Sequence, residues 1–282
     1  MRDSHMHTPL CKHAGDFPPS EYARSAIERD NPLVGIAFTC HSPPAEAPNG
    51  EWSPHVRMSK EQYPEYLQLI SDTAKEFAGQ LEILTGLEVD FIPEKIFVED
   101  VRAMLSEYTL DWVLGSVHPH MPQYQSLYAQ REEGGEIDFR QFQKTYFEHL
   151  ALAAEATLSN GSAMFDVIAH PDLVKVVSPK HWDPTSILEE VIEPTLDRIA
   201  NTGVALEVNT SGLIKPPGEI NPNFDILKAI ARRGIPVVVG SDAHAPNRVG
   251  ASFDQALSDL RASGISDIVV PIGGRKFQKL DI

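Results

Sequence analysis

The chain has 282 residues, 42% hydrophobic and 23% charged, which is long enough to bury a core without disulfide staples and too apolar for intrinsic disorder. Its 24 basic and 40 acidic side chains give a formal charge of -16, which repels a polyanion at long range and argues against a broad nucleic-acid groove. Only Cys11 and Cys40 could pair, no apolar run reaches the ~18 residues of a membrane span, and the opening Met1-Arg2-Asp3-Ser4-His5 lacks an apolar signal-peptide core, so the expectation is a reduced, cytoplasmic protein.

Short runs rich in β-branched residues alternate with longer helical patterns, the signal of repeated βα units around a parallel sheet. In chain order the pattern predicts strands over Met1–Met6, Leu33–Thr39, Leu81–Gly86, Asp111–Val117, Phe165–Ala169, Val204–Val208 and Pro236–Gly240. Helical stretches lie between them, such as Ser20–Arg29, Lys60–Phe77, Phe139–Leu158, Ile187–Ala200 and Phe224–Arg233. Asn160-Gly161, Thr202-Gly203 and Arg233-Gly234 stand where a helix should stop before the next strand. Seven strands each followed by a helix imply a closed or nearly closed α/β barrel. With no low-complexity linker or composition shift, residues 1–282 are expected to form one domain. Two long loops, Ser42–Ser59 and Pro119–Ile137, follow strand ends, as functional loops do.

The residues closing these strands carry the chemistry. His5 and His7 end the first strand and His13 follows in its loop; His41 ends the second, Glu88 the third, His118 the fourth, His170 the fifth, and Asp242 with His244 the seventh. Active sites of α/β barrels are built on this C-terminal face. The two-residue spacing of His5 and His7 turns both side chains to one side of an extended segment, and Asp242-Ala243-His244 repeats it with one carboxylate and one imidazole. A lone His-x-His is weak evidence, but barrel closure brings successive strand ends together, and surface histidines have no reason to follow that period. Nine nitrogen and oxygen donors exceed the needs of one tetrahedral ion and point to a cluster of two or three metals, with zinc, iron and manganese all suited to imidazole and carboxylate. His55, His120, His149 and His181 fit surface or outer positions, Cys40 fits a packed thiol, and Cys11 is left undecided. There is no GxSxG elbow, GxxxxGK[ST] loop or strand-following GxGxxG, which leaves metal-assisted hydrolysis.

Taken together, Asp3-Ser4-His5-Met6-His7-Thr8, Cys11-Lys12-His13-Ala14, Gly86-Leu87-Glu88, Gly115-Ser116-Val117-His118, Ile168-Ala169-His170-Pro171-Asp172-Leu173, Glu207-Val208-Asn209-Thr210-Ser211-Gly212 and Gly240-Ser241-Asp242-Ala243-His244 resemble the ordered motifs of the PHP (polymerase and histidinol phosphatase) superfamily, histidinol-phosphatase branch. The resemblance runs from residue 3 to about residue 250. It implies a distorted TIM-like (β/α)7 barrel with three divalent ions: one on His5, His7, Glu88 and Asp242, a second on Glu88, His118 and His170, and a third on His13, His41 and His244. Glu88 would then bridge. The chain departs from the family at Cys40, where an acidic residue commonly precedes the histidine.

The implied reaction is hydrolysis of L-histidinol phosphate to L-histidinol and phosphate by a metal-bridging hydroxide. Asp242 or His244 is the geometric choice for protonating the leaving alkoxide, Arg248 is a candidate for holding phosphate, and Asn209, at a strand end without a metal donor, is a candidate for substrate discrimination. The alternatives are a phosphoesterase for another small phosphate or a nucleotide, and a non-catalytic metal-stabilised module. Expected partners are thus a small phosphorylated substrate, with no long nucleic acid and no membrane.

Overall fold

Seven strands pair in parallel and in chain order, β1 (Arg2–Met6), β2 (Gly35–Phe38), β3 (Glu82–Asp90), β4 (Trp112–Ser116), β5 (Val167–Ile168), β6 (Ala205–Asn209) and β7 (Val237–Gly240). This computed structural model describes residues 1–43, 57–124 and 138–282. The helices are α1 (Pro19–Glu28), α2 (Tyr63–Glu76), α3 (Lys95–Glu107), α4 (Phe139–Glu155), α5 (Glu193–Ala200), α6 (Phe224–Arg233) and α7 (Phe253–Ser263). Strands buried on both faces read as continuous apolar runs, and β7, Val237-Val238-Val239-Gly240, is buried at every position. The expected barrel is present and nearly closed.

Closure is made by specific contacts between β1 and the residues after β7. Met6 bridges Ala243, His7 N–H donates to the Ala243 carbonyl at 2.9 Å, and the Ser4 hydroxyl donates to the Val239 carbonyl at 2.8 Å. The buried Asp3 carboxylate accepts the N–H groups of Ser241 at 2.9 Å and Gly250 at 2.8 Å. This seam sets His5 and His7 beside Asp242 and His244.

A small buried cluster, Ala37, Leu84, Trp112, Leu114, Val167, Ala169, Ala205 and Val238, comes from six different strands or strand ends and is joined by Val269. Strand alternation carries the same parity onward, from Leu84 to Glu88, from Leu114 to Ser116 and His118, from Ala205 to Glu207, and from Val238 to Asp242. The apolar inner layer thus becomes a polar one at the C-terminal ends. The larger core packs the outer strand faces against the helices. On α6 the buried Ile226, Leu227, Ala229 and Ile230 form one face, the Asn223 side chain accepts the Asp225 N–H, and Gly234 ends the helix at φ 62°, the left-handed conformation glycine adopts without a Cβ clash.

Several element bounds differ from the sequence expectation. β3 continues past Gly86 to Asp90, so Glu88 lies inside the strand; β5 is only two residues long. The helix expected over Ile187–Ala200 is split into a π turn, Leu188–Ile192, and α5, because Pro194 has no N–H for a continuous helical ladder. Helices α3 and α7 and an antiparallel hairpin, β8 (Asp267–Pro271) with β9 (Phe277–Asp281), were not among the elements assigned from the pattern. The hairpin covers the N-terminal end of the barrel: the Arg275 N–H donates to the Asp111 carbonyl at 2.9 Å and the Arg275 side chain pairs with Asp166 at 3.1 Å. Most of the two long loops, and His55, lie outside the described residues.

Candidate metal centre

All nine donors expected from the sequence converge at the C-terminal mouth around Glu88, which is 1% exposed. Glu88 Oε1 accepts the Ser116 hydroxyl at 2.6 Å and faces His170 Nε2 at 3.0 Å and His118 Nε2 at 3.4 Å. Oε2 faces His5 Nε2 at 3.3 Å, His41 Nδ1 at 3.3 Å and His7 Nε2 at 3.4 Å. Asp242 Oδ1 lies 3.1 Å from His7 Nε2 and 3.7 Å from His5 Nε2, while its Oδ2 accepts the Ser211 hydroxyl at 3.0 Å and Lys215 Nζ at 3.1 Å. His13 Nε2 and His244 Nε2 meet at 2.7 Å, and His13 is exposed at the rim. Two of these residues, His170 at φ 28° and Asp242 at φ 52°, hold left-handed backbone that side-chain-bearing residues rarely adopt, as strained residues at functional sites do.

Outer partners fix the rings. His5 Nδ1 meets Glu207 Oε1 at 2.7 Å, and Glu207 Oε2 accepts the His170 N–H at 2.9 Å and the Asn209 amide at 3.0 Å. A Cβ on Gly240 would meet Glu207 Oε1 at 2.2 Å and His5 Cβ at 2.8 Å, so this position has room only for glycine. His118 Nδ1 meets Asp90, which also pairs with the buried Arg57, and His244 Nδ1 donates to the Asp242 carbonyl at 2.8 Å.

The electrostatics follow from this packing. Burial by itself would lower the pKa of His5, but Glu207, Glu88 and Asp242 outweigh it and hold the ring well above the usual imidazole range. For His7, Asp242, Cys40 and Glu88 likewise outweigh burial and raise the pKa to about 9. Burial works against ionised Glu88 and Asp242 too, yet the groups around them, the His41 and His5 rings for Glu88 and Lys215 and His5 for Asp242, hold both well below the carboxylate range. Burial and His7 push His244 down to about 3. Two buried carboxylates among converging ring nitrogens form an environment that selects positive charge. Among the described residues His41 Nδ1 and His170 Nδ1 have no hydrogen-bond partner, and although His41 Nδ1 is near Glu88 it is not aligned for a hydrogen bond. Sets of three donors within 4.8 Å of one another include His5, His7 and Glu88; His7, Asp242 and His244; and His41, Glu88 and His118. This donor set fits divalent ions.

The donors open into a cavity of about 630 Å³, whose other lining groups include Arg57, His120, Leu173, Val176, Ile214, Lys215 and Arg248. Arg248 is thus placed where a phosphate could reach it. Asn209 is not: it is fully buried, its amide donates to Glu207 and its Oδ1 accepts the Ser211 N–H at 2.9 Å, so both ends are committed to the scaffold. His149 bonds the Tyr124 hydroxyl at 2.8 Å and His181 the Ser178 hydroxyl at 2.7 Å, both away from the cavity, whereas His120 lines it. Glu207, Asp90, Arg57 and Lys215 were not singled out from the sequence. For Glu207 and Asp90 a signal existed, since each shares the inward parity of its strand; for Lys215 and Arg57 none did.

Residues 3–211 match the PHP domain model and residues 221–253 the PHP-associated model. Over 270 residues the chain is 40% identical to the probable histidinol-phosphatase of Deinococcus radiodurans, covering 93% of each. It is 29% identical over 272 residues to the histidinol-phosphatase of Bacillus subtilis, covering 91% of this chain and 98% of that one. Its fold matches, with a TM-score of 0.75, that of the histidinol phosphate phosphatase of Lactococcus lactis subsp. lactis, solved as a complex with zinc, L-histidinol and phosphate, at 20% identity over 98% of each chain.

Proposed function

The chain belongs to the PHP family, and from that premise we propose that it is a metal-dependent phosphomonoesterase that hydrolyses L-histidinol phosphate to L-histidinol and phosphate. The observation that carries this reading is the convergence of donors on Glu88 at the mouth of the cavity, in a chain whose relatives in Deinococcus and Bacillus bear the histidinol-phosphatase name.

We assign three divalent ions, zinc, manganese or iron, to His5, His7, Glu88 and Asp242; to Glu88, His118 and His170; and to His13, His41 and His244. Bound there, the ions supply Lewis acidity to the phosphoryl oxygens and lower the pKa of water towards neutrality. Glu88, Asp242 and His244 are the catalytic residues in this reading. With its pKa held down, Asp242 serves as an ionised ligand better than as a proton donor. Lys215 and Arg248 add positive charge at the cavity wall for the phosphate, and Leu173, Val176 and Ile214 offer apolar surface to the rest of the substrate. Glu207, Asp90 and Ser116 hold ligands in place.

One domain spanning residues 1–282 suits this reading, because Asp242 and His244, from the second matched segment, face donors from the first across the barrel seam. No helix among the described residues is long and apolar enough to cross a membrane, and both cysteines are free, in keeping with a reducing cytoplasm. Steady-state assays of metal-reconstituted protein against histidinol phosphate, p-nitrophenyl phosphate and mononucleotides test the assignment. The highest kcat/KM is expected for histidinol phosphate; a preference for a nucleotide, or no phosphatase activity with metal bound, would overturn it.

A further inference from the structure

Of the histidines that turn Nε2 towards the centre, His170 has no Nδ1 partner among the described residues, and the other Nδ1 partners can be compared. His5 has Glu207 at 2.7 Å, His118 has Asp90, and His244 has the Asp242 carbonyl at 2.8 Å. His7 is different: its Nδ1 meets the sulfur of Cys11 at 3.2 Å. Cys11 belongs to the loop after β1, yet its sulfur also accepts the backbone N–H of His41 at 3.0 Å. Cys40, at the end of β2, reaches the other way, its sulfur accepting the Thr8 N–H at 3.0 Å and contacting the Thr8 hydroxyl at 3.0 Å. The donor atoms of His7, Cys11 and Cys40 lie within 4.8 Å of one another, and both cysteines are wholly buried. Glu88 and Asp242 face His7 through Nε2, so the sulfurs stand at the opposite edge of the ring from the other donors.

We propose that Cys11 and Cys40 are positioning residues of the metal centre, a crossed sulfur clasp that orients His7 through Nδ1 and His41 through its backbone N–H. The inference rests on the metal-site reading above. A histidine that ligates through Nε2 carries its proton on Nδ1, and the group accepting that proton fixes the ring plane and tunes its basicity. Glu207 and Asp90 provide charged acceptors for His5 and His118. A sulfur is a weaker and larger acceptor than a carboxylate oxygen, so His7 is held by a different kind of partner. The crossing also ties the β1 and β2 ends together at the two ligands they carry.

Cys11→Ala removes the acceptor and Cys11→Ser replaces it with an oxygen. The measurement is zinc affinity by competition with a chromophoric chelator, together with the visible spectrum of the cobalt-substituted protein and the melting temperature of the metal-stripped protein. Cys11→Ala is expected to weaken zinc binding by ~10- to 100-fold and shift the cobalt bands, with Cys11→Ser lying between it and wild type. Cys40→Ala, which releases Thr8 beside His7, is expected to weaken zinc binding in the same direction. An affinity unchanged within ~2-fold in Cys11→Ala, or a Cys11→Ser no better than Cys11→Ala, would overturn the clasp. So would a loss of zinc affinity matched by a loss of stability in the stripped protein without any cobalt shift. Failure of wild-type protein to bind zinc at all would instead overturn the metal-site reading itself.

Discussion

Replacing Glu88 by Gln keeps the shape of the side chain, removes its charge and turns an amide donor towards at least one set of ring nitrogens. In the native site each oxygen of Glu88 serves three neighbours: Ser116, His170 and His118 on one side, His5, His41 and His7 on the other. At 1% exposure the carboxylate has little contact with solvent of its own. Breaking up a buried set of charges by removing one member costs ~3–5 kcal/mol. If the carboxylate bridges two ions as assigned above, the same cost falling on the transition state would, at ~1.36 kcal/mol per decade, lower turnover by ~10²- to 10³-fold or more. Elemental analysis after reconstitution and kcat on histidinol phosphate should fall together, while His181→Ala, exposed and hydrogen-bonded to Ser178, should leave both near wild type. A Glu88→Gln protein that retained its metal and turned over within ~3-fold of wild type would refute the bridging role.

Lys175, buried between the Asp172 carboxylate at 3.0 Å and the Ile220 carbonyl at 2.6 Å, should cost ~3–5 kcal/mol in a denaturant melt when changed to Met, with Asp172→Asn in the same chain restoring part of the loss; simple additivity of the two changes would contradict an ion-pair role. Since the pKa of His7 is raised from an unfolded value of ~6.5 to about 9, its protonated form stabilises the metal-stripped fold fully below ~6.5, and that contribution is lost as pH rises through 9. Metal uptake must expel the same proton, so metal affinity should climb over the interval in which the stripped protein loses melting temperature, and slopes of the same sign would contradict this reading. Asn209→Ala should lower kcat equally for histidinol phosphate and p-nitrophenyl phosphate, because Asn209 holds Glu207 and does not line the cavity; a rise in KM confined to histidinol phosphate would restore it as a substrate contact.

The barrel was legible because its strands are apolar runs separated by amphipathic helices, and the convergence of the candidate donors because barrel closure puts one strand end beside the next. What the pattern could not place depends on distance along the chain. The β8–β9 hairpin pairs within itself at the far end of the barrel, and no periodicity in Asp267–Asp281 announces that Val269 will join the inner apolar cluster. Pro194 signals an interrupted helix, but not that a π turn will absorb the interruption. Asn209 was read as free for substrate because its strand end carries no metal donor. The structure shows that end occupied by a different duty, since Glu207, one inward position earlier, needs the Asn209 amide to hold its second oxygen.

That duty explains why a strand without ligands is built into the site. Glu207 touches His5 from β1 and the His170 backbone after β5, two ligands that the ion assignments place on different ions. A buried carboxylate there would be costly alone, but His5 and His170 pull its pKa below the usual range against the opposing effect of burial. Its negative charge in turn favours the ring orientation in which His5 Nδ1 carries the proton and Nε2 is open to a metal. The close approach is possible only because Gly240 on β7 has no side chain to fill the space between them. Thus three strands that contribute unlike residues, a histidine, a glutamate and a glycine, act at one point. The candidate metal donors declare themselves by residue type, whereas the group that orients them is recognisable only once the barrel has brought β6 and β7 against β1.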